Sequence, residues 1–292
     1  MGIPWKLHYY GDVFPTAFYS KSVLDPYVSQ GLLYVGLYLV KNWYLPAAVA
    51  ALLLLRRSAP ATAAAEVWDD RFFLAAGALY AAYVIEVGGD FMFARRLIPV
   101  APLVLVGLEG AVCRLEGGRI RLALAAAVLA GAALPFPLFE GAERISGISN
   151  QRAFYPAQLV ALRRRQGEVV GRALAGADVR AVFEGGMCIF AYYSRLPYLV
   201  EMSGLTQYSL AKQPLGARGQ PGHEKGADAA WMTANEIHLV ISQALPPVRP
   251  DAGGRRLDEV LFGSEARARV HVYSDGVMDA LRNRPDVTFT PI

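Results

Sequence analysis

Cysteine is scarce here: the 292 residues include two, Cys113 and Cys188. Neither stands at a metal-ligand spacing, so no thiolate metal site is expected. Cys113 closes an apolar segment and Cys188 falls in the part of the chain read as soluble, so a disulfide between them is not expected, and two thiols do not fix a redox compartment. Charge is also sparse, at 18% of residues with a net +4. The arginines sit in short clusters with no continuous basic stripe, which excludes nucleic acid as a partner. Residues 1–22 are polar and aromatic and hold no apolar core of a cleavable signal peptide. No internal repeat is evident, and no apolar segment carries an ionisable residue near its middle, which argues against a transporter.

Hydrophobic residues, by contrast, make up 54% of the chain, and they concentrate before about residue 140. The fold expected is a membrane α-helical region followed by a soluble α/β domain. Residues 1–42 read as an outer interfacial loop and helix, 43–140 as about three transmembrane helices, and 141–292 as an extracytoplasmic α/β domain. Asp25 caps the interfacial helix, with Pro26 in its first turn. The apolar segments are 43–55, 72–87, 97–113 and 122–139. The first is short and needs Tyr44 or part of the preceding helix to cross a core of ~30 Å.

Arginines set the expected orientation. Arg56, Arg57 and Arg71, then Arg114, Arg119 and Arg121, mark two loops as cytoplasmic by the positive-inside rule. The turn over 86–99 is then on the outer side. It holds Glu86, the Gly88-Gly89 break, Asp90, Arg95 and Arg96, and its arginines stand where the rule disfavours them. An anionic ligand such as a lipid phosphate or diphosphate accounts for them, because guanidinium binds phosphate through two parallel hydrogen bonds. The alternative is an interfacial loop whose arginines hold lipid headgroups.

The first outer loop surrounds one acid, Asp12, and one base, Lys21, with aromatics. Tyr9, Tyr10 and Tyr19 read either as headgroup anchors or as flat platforms for sugar rings or prenyl chains. Past residue 141, residues 157–175 have helical periodicity, and Arg163, Arg164 and Arg165 read as a solvated face. Strands are expected over 179–183, 198–202, 237–242 and 270–273; alternation with helices predicts a mostly parallel sheet. The loop over 203–225 follows a strand end, where open α/β sheets bind ligands. Its His223, Glu224 and Lys225 offer a base, an acid and a cation, or it is a surface connection only. Residues 246–254 read as a linker.

Three stretches are familiar together: Tyr9-Tyr-Gly-Asp-Val-Phe-Pro-Thr-Ala-Phe-Tyr-Ser-Lys21, Gly88-Gly-Asp-Phe-Met-Phe-Ala-Arg-Arg-Leu-Ile-Pro99, and Gly204-Leu-Thr with Arg218-Gly-Gln-Pro-Gly-His-Glu-Lys225. In this order they resemble a bacterial family of polytopic glycosyltransferases, similar to the terminal arabinofuranosyltransferases of actinobacterial cell walls and to related flagellar motor control proteins. Pro15-Thr16 stands where relatives often have Pro-Asn, and Phe93-Ala94 where they often have His-Gly.

The resemblance implies a GT-C architecture in the inner membrane, multi-pass, with an outer active site and a C-terminal extracytoplasmic domain. The donor implied is a polyprenyl-phosphate sugar, and the acceptor a cell-envelope glycan or glycolipid, with membrane lipids around and no metal or separate cofactor. The family's catalytic aspartate commonly lies in a first outer loop after a first span. No such span precedes these motifs, so the chain is expected to be the C-terminal portion of a longer protein. Arg95, Arg96 and Lys21 would then bind donor phosphate, Asp12 and Asp90 would support the reaction, and Tyr9, Tyr10, Tyr19, His223, Glu224 and Lys225 would contact substrate. The alternative function is a non-catalytic envelope or motility-related accessory protein.

Overall fold

A computed structural model describes residues 2–21, 25–57, 68–113, 115, 117–134, 136–139, 144–185, 187–242, 259–285 and 287–290. Arg114, residues 58–67 and the linker expected over 246–254 lie outside the described residues. The chain divides into two compact units, one of Met1–Ser22 with Tyr155–Ile292 and one of Val23–Phe154. The aromatic N-terminal segment, grouped above with the helix after it, therefore belongs with the C-terminal half. It forms α1 (Ile3–Tyr10) and α2 (Thr16–Ser20), separated by Gly11, whose φ of 71° ends α1 in a left-handed cap.

The helical unit runs through α3 (Val28–Lys41), α4 (Tyr44–Arg57), α5 (Trp68–Glu86), a 3-10 turn (Arg95–Leu97), α6 (Val100–Cys113) and α7 (Gly118–Ala133). A small antiparallel hairpin of β1 (Arg144–Ile145) and β2 (Ile148–Ser149), then α8 (Gln151–Phe154), complete it. Helix α3 lies against α5 at backbone distance, because Gly31 faces Ile85. A Cβ at Gly31 would sit 1.9 Å from the Ile85 carbonyl oxygen, so no other residue permits the approach. Tyr34, Val84, Leu97, Val100 and Ile148 form one buried cluster of this unit, and Leu45, Ala48, Leu52, Leu108, Ala111 and Leu115 another.

This architecture corrects the expected membrane-spanning region. No single described helix is long and apolar enough to cross a membrane; α3 with Tyr44–Leu52 passes only as a pair bent by 83°. The cause is local. Residues Asn42 and Trp43 break the helix between α3 and α4, and the 14 residues of α6 reach only about 21 Å at 1.5 Å per residue, against about 30 Å of hydrocarbon. The outer faces of these helices are nonetheless aliphatic, with Leu79, Leu122 and Leu129 each more than 70% exposed.

In the other unit, α9 (Ala157–Ala173), β3 (Arg180–Phe183), α10 (Met187–Ser194), β4 (Tyr198–Glu201), α11 (Tyr208–Ala211), α12 (Ala229–Ala234) and β5 (Leu239–Ser242) follow. They lead into β6 (Glu259–Phe262), β7 (Ala266–Val270), α13 (Asp275–Arg282) and β8 (Val287–Thr290). The sheet has the order β4-β3-β5-β7-β6-β8. Its β4-β3-β5 part is parallel, while β5-β7, β7-β6 and β6-β8 are antiparallel, so the sheet is mixed rather than mostly parallel.

Alternation along the strands makes two cores. Phe183 and Ile241 point to one side with Phe190, Val260, Phe262 and Leu281, while Val182 and Val240 point to the other with Leu210, Trp231 and Ile237. On α9 the basic run is only partly a solvated face: Arg164 and Arg165 are exposed, but Arg163 is buried and its guanidinium donates to Gln166 Oε1 at 2.6 Å.

Candidate functional site

Asp12 follows the left-handed Gly11 directly, which turns its carboxylate back toward α2. The Tyr19 hydroxyl donates to both carboxylate oxygens at 2.8 Å, and the Phe14 backbone N–H donates to Oδ1 at 3.1 Å. Lys212 Nζ is 3.3 Å from Oδ2 and also lies over the rings of Tyr19 (4.8 Å) and Tyr208 (4.3 Å). The Phe14 hydrogen bond, then that from Tyr19, holds the Asp12 carboxyl below the ordinary 3.8, and the same contact raises the Tyr19 hydroxyl above its usual value. An acid so satisfied stays ionised and is a weak proton acceptor; its chemistry is to orient and to balance charge.

Beside this cluster lies an exposed aromatic shelf. Tyr9 and Tyr10 are about two-thirds exposed, and Trp5 stacks on Tyr9 with centroids 5.2 Å apart and planes 7° from parallel. The flat faces bury the C–H surface of a sugar ring or an isoprenoid.

The three consecutive residues 223–225 do not act as one group. The Glu224 side chain is fully buried and accepts from Arg218 Nη1 at 3.2 Å and from the Gly219 N–H at 3.0 Å, which braces its own loop. Lys225 Nζ donates to the carbonyls of Tyr19 (2.9 Å) and Ala211 (2.6 Å), so it fastens α2 to α11. His223 is exposed, with Nδ1 3.4 Å from Gln220 Nε2. Lys21, expected on a phosphate, packs its stem against Gly222. At the loop's start, buried Glu201 accepts from the N–H groups of Ser203 and Leu205 and from the Ser203 hydroxyl.

Lys212, the partner of Asp12, and Tyr208, which packs against Tyr19 and Lys212, escaped the sequence reading. Lys212 caps α11 four residues after Tyr208, which brings the two side chains together, but nothing local ties them to a residue near the N-terminus.

The second cluster lies in the helical unit. Asp90 is fully buried, accepts the Phe91 N–H at 3.0 Å, and pairs with Arg95, whose Nε donates to Oδ2 at 2.6 Å. Arg95 also lies 5.5 Å from the centroid of the Phe91 ring. Two glycines shape the chain here. Gly89, at φ 67°, has Tyr34 against it so closely that a Cβ would be 2.4 Å from the ring's Cγ. The Tyr34 hydroxyl, buried, donates to the Met92 carbonyl at 2.9 Å and accepts the Arg96 N–H at 3.2 Å; burial pushes its pKa up to about 12, so it is a permanent donor. The Arg96 guanidinium is half-buried and makes no hydrogen bond or ion pair with the described residues.

The eleven expected site residues thus divide between the two units: Tyr9, Tyr10, Asp12, Tyr19, Lys21 and 223–225 in one, Asp90, Arg95 and Arg96 in the other. Among the described residues no three of His, Cys, Asp and Glu gather as a metal site.

No family model, curated protein or solved structure matches the chain. A functional reading therefore rests on the three motifs and on the geometry of these two clusters.

Proposed function

We propose that this chain binds a polyprenyl-phosphate sugar and a cell-envelope glycan or glycolipid acceptor, as part of a membrane-associated glycosyltransferase. The observation that carries the reading is the turn over 88–97. Asp90 neutralises Arg95 and fixes it, and Arg96 is left half-buried with no anionic partner among the described residues. The adjoining Ile98 is 65% exposed, and so are aliphatic side chains along α5 and α6. A single cation beside aliphatic surface matches the two halves of a lipid phosphate, a charged head and an apolar tail. In the other unit, the Trp5, Tyr9 and Tyr10 shelf is assigned to sugar rings of the acceptor, with Asp12 accepting from a hydroxyl.

The test is binding of the full chain to vesicles with and without polyprenyl phosphate. Arg96→Ala is expected to weaken the phosphate-dependent part by about 10- to 100-fold, the worth of a charged hydrogen bond. Binding equal to wild type would refute the assignment.

One observation favours a second reading, a non-catalytic accessory protein. Both candidate carboxylates are engaged, Asp90 by Arg95 and Asp12 by Tyr19, Phe14 and Lys212, so neither is poised as a general base. Under that reading the chain retains lipid-phosphate binding but releases no labelled product when given donor and acceptor.

A further inference from the structure

The N-terminal ends of β3, β4 and β5, away from the loop discussed above, border a cavity of about 790 Å³ closed on one side by the start of α13. Its wall includes Arg180, Tyr198, Glu236, His238, Ser274 and Arg284. Several of these groups are prepared as donors. The Arg180 guanidinium lies 4.3 Å from the Tyr198 ring centroid, which holds its plane, and its Nε is buried without an acceptor. The side chain as a whole is 34% exposed and lines the cavity, so the rest of the guanidinium is open to an occupant. The Arg180 backbone N–H donates to His238 Nδ1 at 3.1 Å, so the neutral ring carries its proton on Nε2 and is a donor there. The Ser274 hydroxyl stands at the N-cap of α13 and does not cap it.

Acceptors are present as well. Glu236, 75% exposed and 4.0 Å from Arg180, is held at a φ of 53°, an unusual conformation for a residue with a side chain, and Asp178 also lines the rim. Arg284 Nη2 is spent on the Ala175 carbonyl at 2.8 Å and fixes the opposite wall.

We propose that this cavity binds an anionic monosaccharide, a sugar phosphate or a sugar carboxylate, with the anion on Arg180 and the sugar hydroxyls donating to Glu236 and Asp178. A fork of guanidinium donors selects the planar or tetrahedral anion, and two carboxylates at the rim select a polyhydroxylated body over a bare ion. The volume suits a ligand of that size, since small-molecule pockets span roughly 300–1,000 Å³. The site lies wholly in one unit and does not depend on the lipid-phosphate reading.

Calorimetric titration of the full chain with glucose 1-phosphate, glucuronate, glucose and inorganic phosphate tests it. At least one charged sugar is expected to bind about tenfold or more tightly than both glucose and phosphate, and which one does so separates phosphate from carboxylate. Arg180→Gln should remove that preference. Because Arg180 begins a strand, Ala280→Trp, at a partly buried position of α13 that lines the cavity, is a second variant that plugs the cavity from the helix side. Equal binding of charged and neutral sugars by the wild-type chain, or undiminished binding in either folded variant, would overturn the proposal.

Discussion

Replacing Tyr34 by Phe isolates the role of one hydroxyl in holding the arginine turn. The ring stays, so its contact with Gly89 and its place in the buried cluster with Val84, Leu97 and Ile148 are preserved and no cavity opens. What is lost is the donor to the Met92 carbonyl and the acceptor of the Arg96 N–H. Tyr34 is fully buried, so water does not readily replace either bond, and a stranded buried polar group costs about 1–3 kcal/mol. The 3.2 Å bond to Arg96 is the weaker of the two, which sets the expected loss at about 2 kcal/mol. Amide exchange is the right assay, because two units need not unfold as one transition and a single global midpoint would mix them. Peptides covering residues 88–97 should exchange about 30-fold faster in the variant, the equivalent of 2 kcal/mol. Peptides from β3 and β5, in the other unit, serve as an internal reference and should not change. If exchange over 88–97 is the same in the two proteins, the hydroxyl does not hold the turn and the account of how Arg96 is presented is wrong.

Gly31→Ala should destabilise the helical unit by about 1–3 kcal/mol or more, because its Cβ would meet backbone, the Ile85 carbonyl, at 1.9 Å and not a side chain that can turn aside; a protease-resistance profile identical to wild type would contradict the close α3–α5 approach. Asp12 has a lowered pKa, so the folded state binds its proton less readily than the unfolded chain; its contribution is present above the ordinary 3.8 and fades as pH falls through the folded value. Asp12→Asn is therefore expected to flatten the acid limb of a stability-against-pH curve, and an unaltered acid limb would count against the cluster. His238 is lowered as well, by burial first and then by Arg180; its share of stability is present above the ordinary 6.5 and is lost as pH falls, and His238→Gln should remove that part of the slope.

Local patterning carried much of this fold. The apolar runs of β3 and β5 and the apolar segments at α5 and α6 show in the sequence, because burial selects composition residue by residue. So does the break after α5, where Gly88 and Gly89 both take positive φ. Strand β7 was less legible: Ala266, Ala268 and Val270 face inward and Arg267 and Arg269 alternate with them, but alanine is too small to mark an apolar face clearly. The strand expected over 270–273 begins where β7 ends, and β6 and β8 are short segments whose antiparallel places are set only by their neighbours.

Composition also misjudged length, since it sums hydropathy along the chain and does not register the 83° bend after α3. The candidate sites divide the same way. That an acid ringed with aromatics and a pair of arginines after a glycine break are candidates for a site was readable from residue type alone. That Asp12 takes Lys212 and not Lys21, that Glu224 braces its own loop, and that Arg95 is spent on Asp90 while Arg96 is not were decided by folding. Charge pairing depends on distance through space, which for residues 200 positions apart is invisible until the chain has brought them together.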